Sequence, residues 1–552
     1  MAENFSPTHQ KWHWLLLFIV FGFTFFVHND AFFVDLMESR NIVTAREMVY
    51  DGNWLLPTMN GEIRLEKPPL PTWGAAIAEL VSPDNIRLQR ALAGFAAVLL
   101  VCFFYLFACR LTQNRTYALV SALVLCTSYN VVLLGRTATW DIYCHAFMMG
   151  AVYFLFKGWQ ARACRYSSFM YAGIFMGLSF LSKGPVSFYA LLLPFAVAYW
   201  LVYRSGFRGK WTALLLAFVI ALAIGAWWYV YIYVYHPESS LFVFHKESSS
   251  WLNYNVRPWY YYWRFFLETG IWAVFLLTAL VYPYWKKRVE NPKAYALVFC
   301  WTLLIVVFLS FLPEKKYRYL FPFLIPAALT VGYLFWYWIQ QARRRTWDGS
   351  AKRLYLFNAL LVATVSLLIP AAVYWFVFKE GEMSLLHFIL LSALFVVLSV
   401  ALFVAAGKLR PLFFVLAVTG LFMGVETFLL PYVGSLVGNE GGTTLRATRQ
   451  VEALQPLPFY YNAADGQIRM ELVYDAYKKI RKLDLTDKKS VADALPFVLV
   501  SRQKAEEAIP DSIRSGLDLQ WVGLYDNNRW QKNNRRRYSP EFINHVTIVR
   551  RK

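Results

Sequence analysis

The segment LLHFILLSALFVVLSVALFVAA occupies residues 385–406 and contains no Asp, Glu, Lys or Arg. A run of about twenty uncharged apolar residues is long enough to cross the hydrocarbon core of a bilayer as an α-helix. Similar segments recur along the chain of 552 residues, and 58% of all residues are hydrophobic. Soluble globular proteins contain about 45–50%. The sequence therefore predicts an α-helical polytopic membrane protein.

Hydropathy along the chain predicts thirteen membrane spans. They lie at residues 13–33, 88–108, 116–134, 139–157, 168–182, 185–203, 211–233, 269–285, 294–312, 318–339, 354–378, 385–406 and 411–432. The fifth and sixth spans are separated only by Ser182-Lys183-Gly184-Pro185, where Gly and Pro interrupt helical structure. An odd number of spans predicts that the two termini face opposite sides of the membrane.

The charged residues are distributed unevenly between the two faces that these spans define. With a cytoplasmic N-terminus, the cytoplasmic side of the membrane part holds twenty Lys and Arg against three Asp and Glu. The remaining membrane part holds fifteen basic residues against seventeen acids. Because cytoplasmic loops carry an excess of Lys and Arg, this split predicts that orientation and an outer C-terminus. Topology rather than nucleic-acid binding then explains the net charge of +21.

The chain changes character after Tyr432. A Gly-rich stretch from Gly434 to Gly442 predicts a hinge, and a more polar region follows it. Helical periodicity appears over 466–483, and strand-like runs appear at 497–501, 519–525 and 545–549. We therefore expect a transmembrane catalytic domain over 1–432 and a small soluble α/β domain over 433–552.

The first outer loop, residues 34–87, is far longer than a connection between two spans requires, and such loops are usually functional or disordered. Its residues from Asp35 to Val49 have the periodicity of an amphipathic helix. Asp35, Glu38 and Arg46 lie close to one stripe of that helix. The two acids are candidates for acid–base chemistry, and a solvated helix face is the alternative.

A second group consists of basic residues on the outer side, where topology does not favour them in short loops. Its members are Arg136, Lys183, Lys315, Lys316 and Arg318, together with Arg40, Arg64 and Lys67 of the first outer loop. Cations gathered at one depth of the membrane, poorly matched by acids, suit a phosphate group. Contact with phospholipid head groups or local ion pairing is the alternative.

Two acids lie in predicted spans, and intramembrane carboxylates are functional-site candidates because they are costly to bury. Asp141 opens the fourth span close to Arg136, and Glu426 lies inside the thirteenth. We expect a functional role for Asp141 and a packing or hydrogen-bonding role for Glu426. Glu66 and His245 are possible metal ligands, although two ligands make a weak site. The sequence contains neither the Walker A loop of an ATP-driven pump nor the HExxH motif of a zinc protease.

The stretch ESRNIVTAREMVYDGNWLLPTMNGEIRLEKP, residues 38–68, resembles a block found in the type C membrane glycosyltransferases. Within that family it is most similar to the ArnT-like branch of lipid A aminoarabinose transferases, which is related to the protein O-mannosyltransferases. The similarity continues at Asp141, in SKG at 182–184, in FVFH at 242–245 and in PEKKYRYLFP at 313–322. It covers about 430 residues, and the C-terminal region resembles the family only weakly.

The resemblance implies roles for particular residues. The presumed catalytic Asp of the family aligns with Met37, so Glu38 or the upstream Asp35 is favoured as the base over Asp141. The residues with implied donor-phosphate contacts are Arg40, Lys67, Lys183 and Tyr319, with Lys315 or Lys316 nearby. Glu66 and His245 match positions that can hold a non-essential metal ion, and no cofactor is required.

These residues together predict a multi-pass transferase of the bacterial inner membrane. It would move a sugar from a polyprenyl-phosphate donor by direct displacement, with inversion, to an acceptor on the periplasmic face. The acceptor is a lipid A-like glycolipid, a glycan or a protein, and we expect a monomer that does not bind nucleic acid. The alternatives are a flippase for lipid-linked sugars, an oligosaccharide polymerase or ligase using pyrophosphate-linked donors, and a non-enzymatic scaffold. Against the flippase, the sequence has one helix break and no internal repeat, which transporters usually show.

Overall fold

The computed structural model of the protein describes residues 7–204, 209–432, 439, 442–530, 532 and 536–552. The chain forms two compact units, each assembled from separate stretches of sequence. The membrane unit comprises Met1–Asn29, Leu65–Pro71 and Ile86–Pro431, and the sheet unit comprises Asp30–Arg64, Thr72–Asn85 and Tyr432–Lys552. Most of the predicted Gly-rich hinge lies outside the described residues.

The secondary structure is mainly helical. In chain order the α-helices are α1 (Pro7–Phe21), α2 (Leu36–Tyr50), α3 (Leu70–Val81), α4 (Ile86–Thr112), α5 (Arg115–Cys126), α6 (Tyr129–Gly135), α7 (Trp140–Gln160), α8 (Tyr166–Lys183), α9 (Leu193–Tyr203), α10 (Trp211–Gly225), α11 (Trp227–Tyr235), α12 (Pro237–Asn253), α13 (Ala273–Ala279), α14 (Tyr282–Trp285), α15 (Pro292–Phe311), α16 (Leu324–Arg344), α17 (Gly349–Leu367), α18 (Ile369–Val373), α19 (Leu385–Gly407), α20 (Pro411–Phe428), α21 (Met470–Ala476), α22 (Lys488–Ala494), α23 (Ala505–Ala508) and α24 (Asp511–Arg514). The strands are β1 (Thr58–Met59), β2 (Glu62–Ile63), β3 (Phe459–Asn462), β4 (Ile480–Leu483), β5 (Phe497–Ser501), β6 (Leu517–Asp526) and β7 (Ile543–Arg551).

The helices of the membrane unit confirm a membrane-spanning helical protein. Within the described ranges, 6 helices are long and apolar enough to cross a bilayer, or up to 8 if the bent pairs α5–α6 and α10–α11 each form one span. These pairs bend by 69° and 44°. Each of the thirteen predicted positions contains helix, but several of those helices are short or interrupted. The count of thirteen spans therefore stays a prediction.

Small residues set the close approach of helices in the membrane unit. A Cβ at Gly173 of α8 would lie 2.6 Å from the carbonyl oxygen of Ala217 in α10, and one at Gly332 of α16 would lie 1.9 Å from Ser121 Oγ in α5. Such contacts allow tight packing where no hydrophobic force drives helices together. The predicted break after the fifth span is also present, because α8 ends at Lys183 and Gly184 has a φ of 67°.

The sheet unit contains a five-stranded sheet of order β4-β3-β5-β7-β6. Strand β3 pairs in parallel with β4 and β5, and β7 pairs antiparallel with β5 and β6. The predicted strands at 497–501, 519–525 and 545–549 are confirmed, but the predicted helix over 466–483 ends early. Tyr477 adopts a left-handed conformation with φ 57°, which stops α21 and lets Ile480–Leu483 enter the sheet.

The first loop contributes α2, most of α3 and the hairpin β1–β2 to the same unit. Helix α2 packs against α3 through Ala45, Met48, Ala75 and Ala76, all of which are buried. It also packs against α21 of the C-terminal region. The predicted helix from Asp35 to Val49 is thus confirmed, although it is buried over most of its surface rather than on one face.

Candidate functional site

Helix α2 carries two of the three candidate bases at its N-terminus. Asp35 is the N-cap, and its Oδ1 accepts hydrogen bonds from the backbone N–H groups of Met37 and Glu38, both at 2.8 Å. A carboxylate at this position satisfies donors that a helix leaves without partners and interacts favourably with its dipole. Asp35 therefore starts the helix, and Glu38 lies in its first turn with a fully buried side chain.

Arg40 and Arg64, two of the predicted cations, are linked to each other through α2. Arg64 Nη1 donates to the backbone carbonyl of Arg40 at 3.0 Å and to Thr44 Oγ1 at 2.8 Å. These bonds anchor Arg64, the residue directly after the β1–β2 hairpin, to the helix. The Arg40 Nε is buried without a hydrogen-bond partner.

In the membrane unit, Asp141 and Lys183 form a buried ion pair. Asp141 lies in the first turn of α7, and Lys183 is the last residue of α8. The Lys183 ammonium donates to Asp141 Oδ1, and both side chains are less than 10% exposed, at 8% and 6%. The break at Gly184 therefore brings a cation to the start of α7, where it pairs with a buried carboxylate.

A second set of polar side chains comes from the loop before α16. Glu314 Oε1 accepts from Lys316 Nζ at 2.6 Å and from the Tyr319 hydroxyl at 3.2 Å. Lys183 and Arg318 also face the Tyr319 ring, at 5.8 and 5.9 Å from its centroid. We call Asp141, Lys183, Glu314, Lys316, Arg318 and Tyr319 the polar cluster.

The polar cluster combines three cations with two carboxylates. Arg318 interacts electrostatically with Asp141, and its Nε is buried without a hydrogen-bond partner. The cluster thus keeps one positive charge in excess and an unused donor. Such an arrangement suits an anionic group that offers several oxygens, and a phosphate has that property.

The backbone around the polar cluster is held by a neighbouring loop. Val256 forms an antiparallel bridge with Glu314, and the Arg257 N–H donates to the Pro313 carbonyl at 3.2 Å. The Tyr262 hydroxyl donates to the Lys316 carbonyl at 3.1 Å. Because both ends of the 313–316 segment are bonded to this loop, the directions of the Glu314 and Lys316 side chains are restricted.

Two predicted phosphate ligands, Arg136 and Lys315, donate to backbone carbonyls in this structure. Arg136 is fully buried and donates to the carbonyls of Thr24, Val27 and Phe23 at 2.6, 2.7 and 2.7 Å. It therefore satisfies carbonyl groups just beyond the end of α1, while Glu426 lies 4.0 Å away.

Lys315 is similarly committed. Its ammonium donates to the backbone carbonyls of Arg257 at 3.0 Å and of Leu312, and its side chain is buried. Burial lowers the pKa of this ammonium group. Lys315 therefore joins two loops, and Lys316 is the lysine that faces the polar cluster.

Of the two residues predicted as metal ligands, Glu66 is paired with a lysine and His245 is exposed. Glu66 Oε1 accepts from Lys246 Nζ at 3.0 Å, and Lys67 Nζ lies 3.8 Å from Glu247. His245 is exposed on α12. Among the described residues, no group of three His, Cys, Asp or Glu side chains is arranged to hold a metal ion.

Sequence reasoning missed Glu314 and His145. Glu314 precedes two lysines, and this suggests a solvated charge run rather than an acceptor for Tyr319. His145 follows Asp141 by one helical turn, is buried, and interacts electrostatically with it. The i, i+4 spacing on a helix was the available signal.

Several known proteins are similar to this chain. Residues 66–229 match the family described as dolichyl-phosphate-mannose-protein mannosyltransferase. The undecaprenyl phosphate-alpha-4-amino-4-deoxy-L-arabinose arabinosyl transferase 1 of Pseudomonas fluorescens (strain Pf0-1) is 28% identical over 430 residues, which cover 76% of this chain and 72% of the relative. The corresponding transferase of Erwinia tasmaniensis is 27% identical over 303 residues, or 54% of each chain.

The fold has a solved counterpart. The crystal structure of ArnT from Cupriavidus metallidurans bound to undecaprenyl phosphate has a TM-score of 0.68 and 17% identity over 98% of both chains. The apo structure of that protein gives 0.69 and 18%. These matches confirm the resemblance to the ArnT-like type C glycosyltransferases. The family match and the curated relatives also confirm the predicted class of enzyme, a glycosyltransferase.

Proposed function

We propose that this protein transfers a sugar from undecaprenyl phosphate, or a similar polyprenyl phosphate, to an acceptor at the periplasmic face of a bacterial inner membrane. The observation that carries the proposal is the polar cluster. It places three cations, one of which has an unused guanidinium donor, at the start of α7, at the end of α8 and just before α16. The names of the relatives, which include undecaprenyl phosphate sugars, support it.

The chemistry is direct displacement at the anomeric carbon. An acceptor hydroxyl attacks as it loses its proton to a carboxylate, the bond between sugar and phosphate breaks, and the polyprenyl phosphate leaves with the electron pair. Lys183, Lys316, Arg318 and Tyr319 stabilise the charge that develops on that phosphate. A phosphate leaves without protonation, so one general base suffices and the sugar inverts.

We propose Glu38 as the base, ahead of Asp35 and Asp141. Asp35 uses Oδ1 to begin α2, and Asp141 is paired with Lys183. Both carboxylates are thereby already engaged within the fold, Asp35 as the cap of α2 and Asp141 in an ion pair. Arg40 and Lys67 complete the proposed donor contacts, and any metal ion near Glu66 and His245 is not needed for transfer.

The topology that goes with this function has thirteen spans, an N-terminus in the cytoplasm and residues 433–552 in the periplasm. A monomer suffices, because each proposed role is filled from one chain. The acceptor class, whether lipid A-like glycolipid, glycan or protein, is to be settled by assay.

The test is transfer of radiolabel by the full-length protein in proteoliposomes. Labelled polyprenyl-phosphate sugars are offered with lipid A, glycan or protein acceptors, with and without a chelator. We expect label on one acceptor class, unaffected by the chelator, and its loss in Lys316→Ala and Arg318→Ala. Arg344→Ala, which removes an exposed cation paired with Glu290, serves as the control. Label that crosses the bilayer while staying on its carrier would replace the transferase with a flippase.

A further inference from the structure

One carboxylate in the sheet unit is shared by three arginines. Asp84 follows α3, and its Oδ1 accepts from Arg46 Nη2 of α2 at 2.5 Å. Its Oδ2 accepts from Arg449 Nη1 at 2.5 Å and from Arg446 Nη2 at 2.8 Å. The side chain of Asp84 is 22% exposed and that of Arg46 only 7%, so the first of these pairs is largely shielded from water.

Arg46 is also held from two other directions. Its guanidinium lies between the rings of Tyr474 and Tyr477, at 4.7 and 4.2 Å from their centroids. Its Nη1 and the Nη2 of Arg449 both donate to the Tyr474 carbonyl at 2.8 Å. A planar guanidinium that is stacked and bonded in this way has very little freedom to move.

Three more contacts extend the network to Tyr50 of α2 and Glu79 of α3. The Tyr477 hydroxyl donates to Glu79 Oε1 at 2.7 Å and also lies 2.7 Å from the Tyr50 hydroxyl. The Asp84 N–H donates to Glu79 Oε2 at 3.2 Å, so both carboxylates belong to one network.

A third set of contacts fixes the hairpin that follows α2. Asn60 donates through Nδ2 to the Ile480 carbonyl at 2.7 Å and accepts from the Ile480 N–H at 2.8 Å. Its amide therefore pairs with edge strand β4 as a neighbouring strand would. Lys479 and Asp51 form an ion pair at 2.5 Å beside it.

We propose that Asp84 is a positioning residue for sugar transfer, which acts by holding α2, with Asp35 and Glu38 at its start, against the C-terminal region. The inference rests on the proposed function, because it assumes that α2 carries the general base. It gives residues 433–552 a role in catalysis: their Arg449, Tyr474 and Tyr477 side chains set the place of the helix. Displacement of a catalytic group by about 1 Å can reduce a rate about a hundredfold.

The decisive variant is Asp84→Asn, which keeps the size of the side chain and removes the charge that three arginines share. Asp511→Asn is the matched control, because Asp511 lies in the same unit with its side chain 85% exposed. Asp84→Glu restores the charge. All are measured as full-length protein in detergent, below the temperature at which wild type unfolds. The readouts are kcat and KM for the donor and hydrogen exchange of the amides in residues 36–50.

We expect Asp84→Asn to lower kcat by about tenfold to a hundredfold with KM for the donor nearly unchanged, and to speed exchange in α2. Asp84→Glu should recover part of both, and Asp511→Asn should alter neither. Faster exchange in α2 with an unchanged kcat would overturn the proposal, and so would a lower kcat with unchanged exchange. If wild type transfers no sugar, the proposed function fails; unaltered exchange in Asp84→Asn would then overturn the positioning role on its own.

Discussion

The backbone N–H of Glu38 donates to Asp35 Oδ1 at 2.8 Å, so the two candidate bases of the first loop are joined at the start of one helix. Asp35 has a structural task that Glu38 does not share. Substitutions of the two acids should therefore separate stability from chemistry.

Asp35→Asn should keep both the cap and most of the transfer activity, because Asn is as good an N-cap as Asp. Asp35→Ala should cost about 1 kcal/mol of stability through loss of the cap. Glu38→Gln should reduce transfer by about 10²–10⁴-fold without unfolding the protein, because Gln keeps the size of the side chain and removes its basic carboxylate. Rates and thermal unfolding of all three variants check this, and an active Glu38→Gln enzyme would exclude Glu38 as the base.

Because Lys183 and Asp141 form a buried ion pair, we expect substitutions of the two residues to have non-additive effects on stability. Lys183→Met alone leaves the Asp141 carboxylate without its cation and should cost about 3–5 kcal/mol. The double variant Lys183→Met/Asp141→Leu should recover most of that stability, since a buried ion pair can be replaced by apolar side chains at little cost. Neither should transfer sugar. Thermal unfolding in detergent measures the stability of both variants. A double variant no more stable than Lys183→Met would contradict the expected recovery.

Asp475 predicts a dependence of stability on pH. Burial raises the pKa of this carboxyl from 3.8 to about 6, against the opposing effect of Arg449. Because the folded-state pKa lies above the unfolded value, the stabilisation from the protonated form is present below about pH 4 and is lost as the pH rises through 6.

Asp475→Asn resembles the protonated acid, so it should match wild type near pH 4 and exceed its stability at pH 7.5 by at most about 3 kcal/mol. Unfolding temperatures of both proteins between pH 4 and 7.5 test this. Parallel curves would show that Asp475 does not titrate in this range.

Gly332 lies where two helices of the membrane unit pack too closely to admit a side chain. A Cβ there would lie 1.9 Å from Ser121 Oγ, so Gly332→Ala should reduce the yield of folded protein. Ser121→Ala in the same chain should restore part of it, because the nearest contact then becomes 3.1 Å. Gly420→Ala is the control, since its Cβ would find its nearest neighbour at 3.8 Å. Equal yields of the Gly332 and Gly420 variants would disprove this limit on packing.

Much of the fold follows from the sequence because apolar length and turn residues are local signals. The break at Gly184 is one such case, since Gly tolerates a φ of 67° and the following Pro resists helix. The number of spans is less accessible, because bends such as the one between α5 and α6 depend on tertiary packing. Ile480–Leu483 continued a helical pattern, and only a left-handed residue at Tyr477 separates it from α21.

The sequence predicted which types of residue form the candidate site, but not which groups those residues bind. Arg136, Lys183 and Lys315 are all cations beside spans, yet their acceptors differ: backbone carbonyls for two of them and a carboxylate for Lys183. Carbonyl acceptors exist at every residue, so the sequence does not distinguish a cation that caps a helix from one available to a ligand. Glu314 was overlooked for the converse reason, because its charge is matched locally.

The bond from Arg46 to the Tyr474 carbonyl joins residues 428 positions apart, which bears on how the chain is made. At about 5–20 residues per second, the ribosome needs roughly 20 to 90 s to synthesise that interval. On the proposed topology, helix α2 reaches the periplasm during this time without the segment against which it folds. Nascent chains stalled before residue 440 should therefore be cleaved by protease within 36–85, and chains released at full length should resist.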